Sequence, residues 1–250
     1  MNRLLTSSVA AAALALGAVG TASAEPVKNV VLVHGAFADG SGWRPVADIL
    51  QRDGYSVSVV QEPETSLTDD AAATKRVIDR VNAPLILVGH SYGGAVITQA
   101  GNEPQVRGLV YIAAFQPDTG ETLGSLLQKL PPAAHSAIPA GEGYVIVDPK
   151  AFHADFAADL PANEANFMAL SQVPISTSAF GTPIADAAWH NKPSWYAVAT
   201  QDREINPELE RFMAKRAGST TVEVKGSHAI YVSQPAMVAK LIEKAAQEAK

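Results

Sequence analysis

Short apolar runs alternate with longer amphipathic ones along most of this chain. Val30–Val33, Ser56–Val60, Leu85–Val88, Leu109–Ala114, Trp195–Ala199 and Thr221–Val224 read as strands. The first, third and fourth are apolar almost throughout, the pattern of strands covered on both faces of a parallel sheet. Between them, Trp43–Arg52, Thr68–Val81, Ala95–Gly101 and Pro207–Ala217 carry helical spacing, and Pro235–Ala249 forms a last helix. Strand–helix alternation of this kind predicts an α/β fold, a mostly parallel, doubly wound sheet with helices on both sides. The rhythm breaks from Phe115 to about Asn191. That stretch is rich in proline, with short helical fragments at Thr122–Leu130, Pro149–Ala158 and Asn163–Ser171. It reads as a helical cap inserted over the sheet, because long insertions in regular α/β chains usually cover a site.

The first residues follow another rule. Arg3 precedes an apolar stretch from Val9 to Val19, and Ala22-Ser23-Ala24 fits a small-x-small cleavage site. Residues 1–24 therefore read as a signal peptide, leaving 25–250 as one domain with its cap at about 115–191. The apolar run is short for a membrane span, so no stable membrane anchor is expected after cleavage. The expected location is periplasmic or extracellular. The 250 residues contain no cysteine, which excludes thiol nucleophiles, thiolate metal sites and disulfides. A net charge of −6 with no basic run argues against a nucleic-acid partner.

Candidate chemistry centres on Gly89-His90-Ser91-Tyr92-Gly93. This G-x-S-x-G follows a buried-type strand and precedes a helix, the setting of a nucleophile elbow. So sharp a turn holds the serine in a strained conformation with small residues two before and two after it. A serine hydroxyl needs a base. Of the six histidines, His228 lies between the last strand and the last helix, at the sheet edge expected for Ser91. His90 belongs to the bend and is expected to point away. His34 is expected to fix its own loop, and His135, His153 and His190 to be surface or cap residues. The acid that orients the base is Asp202, following the fifth strand, with Asp118 as a rival after the fourth. The oxyanion donors are expected to be the N–H of Tyr92 and that of Ala36 in the loop after the first strand. Phe37, Phe152, Phe156, Phe167 and Met168, with Phe180, are candidates for a pocket wall.

"VLVHGAFADGSGW", "LVGHSYGGAVI", "TQDREINPE" and "GSHAIYVSQP" together resemble the α/β-hydrolase superfamily. The nearest-looking branch holds the plant methylesterases and hydroxynitrile lyases with related bacterial esterases. The resemblance covers nearly the whole chain outside the cap. It implies cofactor-free chemistry by Ser91, Asp202 and His228, and supports Asp202 over Asp118. The lyases carry threonine where this chain has Gly35 and lysine where it has Ala229, so the resemblance points to ester hydrolysis. The methylesterases often have methionine at the latter position, and Ala229 departs from that as well. The expected activity is hydrolysis of a small or medium ester or lactone through an acyl-enzyme. A cofactor-free lyase, a perhydrolase, and a non-catalytic ligand-binding protein on the same fold are the alternatives.

Overall fold

The computed structural model describes residues 26–249. The signal peptide expected at residues 1–24 lies outside the described residues. The described strands are β1 (Asn29–Val33), β2 (Ser56–Val59), β3 (Leu85–Ser91), β4 (Val106–Ala114), β5 (Ala137–Gly141), β6 (Tyr144–Val147), β7 (Ile175–Ser176), β8 (Ser194–Ala199) and β9 (Thr220–Val224). The helices are α1 (Arg44–Arg52), α2 (Leu67–Val81), α3 (Tyr92–Ala100), α4 (Leu123–Lys129), α5 (Pro149–Asp155), α6 (Ala162–Leu170), α7 (Ser178–Gly181), α8 (Pro207–Arg216), α9 (Ile230–Ser233) and α10 (Pro235–Glu248).

Six strands form one sheet in the order β2-β1-β3-β4-β8-β9, every pair parallel. Every residue of β3 is buried, as its unbroken apolar run predicts. Successive β3 side chains enter opposite cores. Ile86 and Val88 join Trp43, Leu50 and Ile242 on one face, while Leu85 and Leu87 join Ile97, Leu209 and Met213 on the other. The flanking helices start on local signals. Ser66 caps α2 by accepting from the Asp69 N–H, and Asn206 caps α8 with Pro207 as its first residue. Asn82 ends α2 in the left-handed region at φ 44°.

The boundaries at the bend differ from the sequence pattern, and so does the make-up of the cap. β3 continues past Val88 to Ser91, and α3 starts at Tyr92 rather than Ala95. Glycines at 89, 93 and 94 carry no periodic signal, so the pattern loses both elements where they meet. The second difference is the cap, which is not purely helical. β5, β6 and β7 pair antiparallel into a small second sheet. Its hairpin turns through Gly141, Glu142 and Gly143, all at positive φ, which the two glycines make accessible. The cap shares its packing with the main domain: Val147, Phe152, Phe156 and Ala165 belong to the same buried cluster as Trp43 and Ile242.

Candidate active site

Ser91 ends β3 at the carboxyl edge of the sheet, with φ 52° and ψ −122°. That is a strained backbone for a serine, and the surrounding packing enforces it. The register between β3 and β4 shifts at His90/Ser91, and the Phe115 N–H donates to the Ser91 carbonyl at 3.0 Å. A Cβ on Gly89 would collide with the Gly93 carbonyl, and one on Gly93 with the His34 carbonyl. Only glycine lets these backbones cross so closely, and the crossing turns the serine side chain towards a cavity of about 440 Å³ that also meets Tyr92, Ala36 and His228.

His228 follows β9 and is buried. Its Nδ1 lies 2.6 Å from Asp202 Oδ2. The carboxylate accepts, so Nδ1 carries the proton and Nε2 is left as the basic nitrogen. Asp202 is held in turn: its Oδ1 accepts the N–H groups of Glu204 and Ile205 at 2.7 and 2.8 Å. Burial pulls the His228 pKa down, but the charge of Asp202, its hydrogen bond and the nearby Glu204 outweigh that, and the net direction is upward. His90 points away from the cavity, as its place in the bend predicts. Its Nε2–H donates to the His228 carbonyl at 3.0 Å, and its ring packs 4.2 Å from that of Tyr231. It thus braces the loop that carries His228. Asp118 instead meets His190 Nε2 at 2.7 Å on a partly exposed surface.

Tyr92 opens α3, so its N–H has no partner within the helix. The Ala36 N–H makes no backbone hydrogen bond among the described residues. Both residues border the cavity beside Ser91. Behind them sits a buried acidic cluster that sequence reasoning missed. The His34 Nδ1–H donates to the Gly35 carbonyl at 3.0 Å, and the Glu62 N–H donates to His34 Nε2 at 3.0 Å. Asp70 accepts the Glu64 N–H at 2.8 Å and the Tyr92 hydroxyl at 2.6 Å. The network therefore ties the loop holding Ala36 to the side chain of Tyr92. Among the described residues, none offers a hydrogen-bond partner to any of the four buried carboxylate oxygens of Glu62 and Glu64. Burial, reinforced by Asp70, raises both pKa values, that of Glu64 to about 9. His34 moves the other way, lowered by burial against weaker opposing effects from Gly35 and Asp39.

His34, Glu62 and Glu64 also place one potential metal-ligand atom each within 4.8 Å of the others. The hydrogen bonds oppose that use. A backbone N–H points at His34 Nε2, so the proton sits on Nδ1, and a metal at Nδ1 would require the opposite tautomer and break both bonds. The arrangement suits protonated carboxyls around a neutral imidazole.

The predicted pocket residues divide. Phe37, Phe156 and Phe180 line the cavity. Phe152 does not: it is fully buried in the core and stacks on the far side of Phe156 at 4.6 Å. Phe167 and Met168 do not reach the cavity either. They border a separate hollow of about 40 Å³ beside Phe37 and Tyr231, with Phe167 67% exposed. The reason is that α6 buries Ala165 and Ala169, which leaves Phe167 outside, and Phe156 is the residue that reaches the cavity. His135, expected to be a surface or cap residue, is exposed in the cap and also borders the cavity.

Residues 30–241 match the model of the alpha/beta hydrolase family. The chain belongs to that family. It is 35% identical over 156 residues to a carbendazim hydrolyzing esterase of Nocardioides, covering 56% of this chain and 63% of that one, less than two thirds of the relative's length. It is 28% identical to a pyrethroid hydrolase of Sphingobium wenxiniae over 86% of each chain. The crystal structure of a pyrethroid hydrolase from Sphingobium faniae superimposes with a TM-score of 0.76 at 24% identity, covering 89% of this chain and 98% of that one, which shows the shared fold. Relatives of this alpha/beta hydrolase thus carry the names esterase and hydrolase.

Proposed function

We propose that the protein is a serine esterase that hydrolyses small or medium carboxylic esters or lactones through an acyl-enzyme on Ser91. The observation that carries this reading is the convergence on one cavity of a strained serine at a strand–helix bend and a buried histidine whose far nitrogen is bonded to a carboxylate. His228 Nε2 takes the Ser91 proton as Oγ attacks the ester carbonyl. The N–H groups of Ala36 and Tyr92 stabilise the oxyanion. The His228 imidazolium then protonates the leaving alcohol, and the free imidazole activates water to release the acid. Asp202 holds the ring and balances its positive charge.

The loop after β1 favours hydrolysis over lyase chemistry. A Cβ at Gly35 would stand 2.6 Å from Ser91 Cβ, so the threonine that marks the lyases does not fit this bend without displacing the nucleophile. The apolar cavity wall supports substrates with an aliphatic or aromatic part, and the esterase and pyrethroid hydrolase among the relatives support the same class. The test is stoichiometric labelling by an organophosphonate, followed by turnover of esters and lactones graded in size. Labelling and turnover are expected in the wild type and absent from Ser91→Ala. Turnover unchanged by that substitution sinks the mechanism. We also propose export directed by residues 1–24, tested by the N-terminal sequence of the mature protein, which is expected to begin at Glu25.

A further inference from the structure

Acyl transfer accounts for Ser91, His228, Asp202 and the two N–H donors. It leaves Glu204 without a role. This residue borders the cavity next to His228 and Ile205, and its N–H is fixed to Asp202 Oδ1 at 2.7 Å. Its Oε1 is buried without a hydrogen-bond partner among the described residues. The cation next to it in sequence does not neutralise it, because Arg203 turns outward to Asp155 at 2.9 Å. Glu204 is the one carboxyl among the described residues that line this cavity, whose wall is mostly apolar, with Ser91, His135, Ser136 and His228 as its other polar members. A buried acceptor without a partner is costly, and a ligand that supplies one recovers that cost.

We propose that Glu204 is a recognition site for a positively charged nitrogen, so that the enzyme prefers esters carrying a cationic group next to an apolar part over their neutral isosteres. This rests on the esterase reading above. The groups around Glu204 fit the role. Burial is the main cause raising its pKa, to about 7, and Asp202 on its own loop and Asp155 on α5 raise it further. His228 and Arg203 oppose that rise. His135 lies across the cavity. The carboxyl therefore gains charge as pH rises through neutrality, and the preference for cations follows it.

The experiment compares kcat/KM for two matched ester pairs, each a dimethylammonium compound, whose N–H can donate to Glu204, and its isopropyl isostere. One pair carries the group in the alcohol, the other in the acyl part. For at least one pair, the wild type is expected to prefer the cation by roughly ten- to hundred-fold at pH 8. The ratio should shrink towards one at pH 6. Each ratio is taken within one enzyme, so the titration of His228 cancels. Glu204→Gln is expected to bring it near one, and Glu204→Lys to invert it. A wild-type ratio near one for both pairs, or a preference that survives Glu204→Gln, overturns the proposal while leaving the esterase reading intact. If no ester of any kind turns over, the esterase reading fails instead. Calorimetric binding of matched non-hydrolysable ethers to wild type and Glu204→Gln then decides the cation site by the same criterion.

Discussion

Two groups of buried carboxyls flank Ser91, each built around a histidine, and they put their histidines in opposite states. On the oxyanion side, Glu62, Glu64 and Asp70 surround His34. On the base side, Asp202 and Glu204 flank His228. His34 has its Nδ1–H on a backbone carbonyl and a backbone N–H against Nε2, so its ring is locked neutral and its pKa is lowered, with burial as the main cause. His228 gives its Nδ1–H to Asp202, and its pKa is raised although it is equally buried. Burial alone therefore does not decide the state of either ring. What decides it is whether the partner of Nδ1 is a neutral carbonyl or a carboxylate anchored by two N–H groups. The first cluster holds a loop in place; in the proposed mechanism, the second holds a proton acceptor ready.

The sharpest break of this contrast removes the charge of the anchored carboxylate. Asp202→Asn is expected to lower kcat/KM by roughly 10⁴, because an amide no longer enforces the tautomer that leaves Nε2 free. Asp118→Asn, on the rival aspartate paired with His190, is expected to stay within about twofold, since that pair is partly exposed. A large loss at 118 with little loss at 202 would place the acid at 118 instead. In the wild type, the acid limb of kcat/KM should have its midpoint above 6.5, because only the free imidazole accepts the Ser91 proton and its pKa is raised.

The second test addresses the opposite cluster through stability. Glu64 titrates near 4.5 when exposed and near 9 in the fold. Between those values the unfolded chain has lost a proton that the folded protein keeps. Stability is therefore fully present below about pH 4.5 and falls as pH rises towards 9. Glutamine has no proton to lose. Glu64→Gln is expected to be more stable than the wild type at pH 8, by about 1–3 kcal/mol, and near parity at pH 4, measured by urea unfolding. A loss of stability at pH 8 would show that Glu64 is ionised and paired.

The two clusters also differ in how far the sequence announces them. Ser91, Asp202 and His228 each follow a strand, in the order the fold requires, so strand pattern and motif locate them. "QEPETSLTDD" reads instead as an acidic loop leading to a capped helix. Ser66 and Asp69 do form that cap at the surface, but Glu62, Glu64 and Asp70 turn inward. Nothing local marks the difference, because carboxylates are seldom buried and the cause is long-range packing against His34 and Tyr92. Glu204 was hidden in the same way, two residues from a recognised aspartate. In the cap, aromatic content was legible but direction was not. Phe152 and Phe156 lie one helical turn apart and stack on each other, and only the packing of α5 on the core settles which one meets the cavity.

The mildest change tests whether the oxyanion-side cluster acts on chemistry or only on stability. Tyr92 offers two groups: its N–H, the proposed oxyanion donor, and its hydroxyl, which donates to Asp70 at 2.6 Å. Tyr92→Phe keeps the first and deletes the second. The hydrogen bond is buried, so its loss should cost about 1–2 kcal/mol in urea unfolding, with Asp70 Oδ2 left unpaired. If the cluster only supports the fold, kcat stays unchanged. If it positions the oxyanion donor, kcat falls by roughly three- to tenfold while KM holds, because a donor displaced by a fraction of an ångström weakens the transition state more than the bound ester. We expect the second outcome. Tyr92 and the Ala36 loop are joined through Asp70, Glu64 and Glu62 to one histidine, so slack at the hydroxyl reaches both donors.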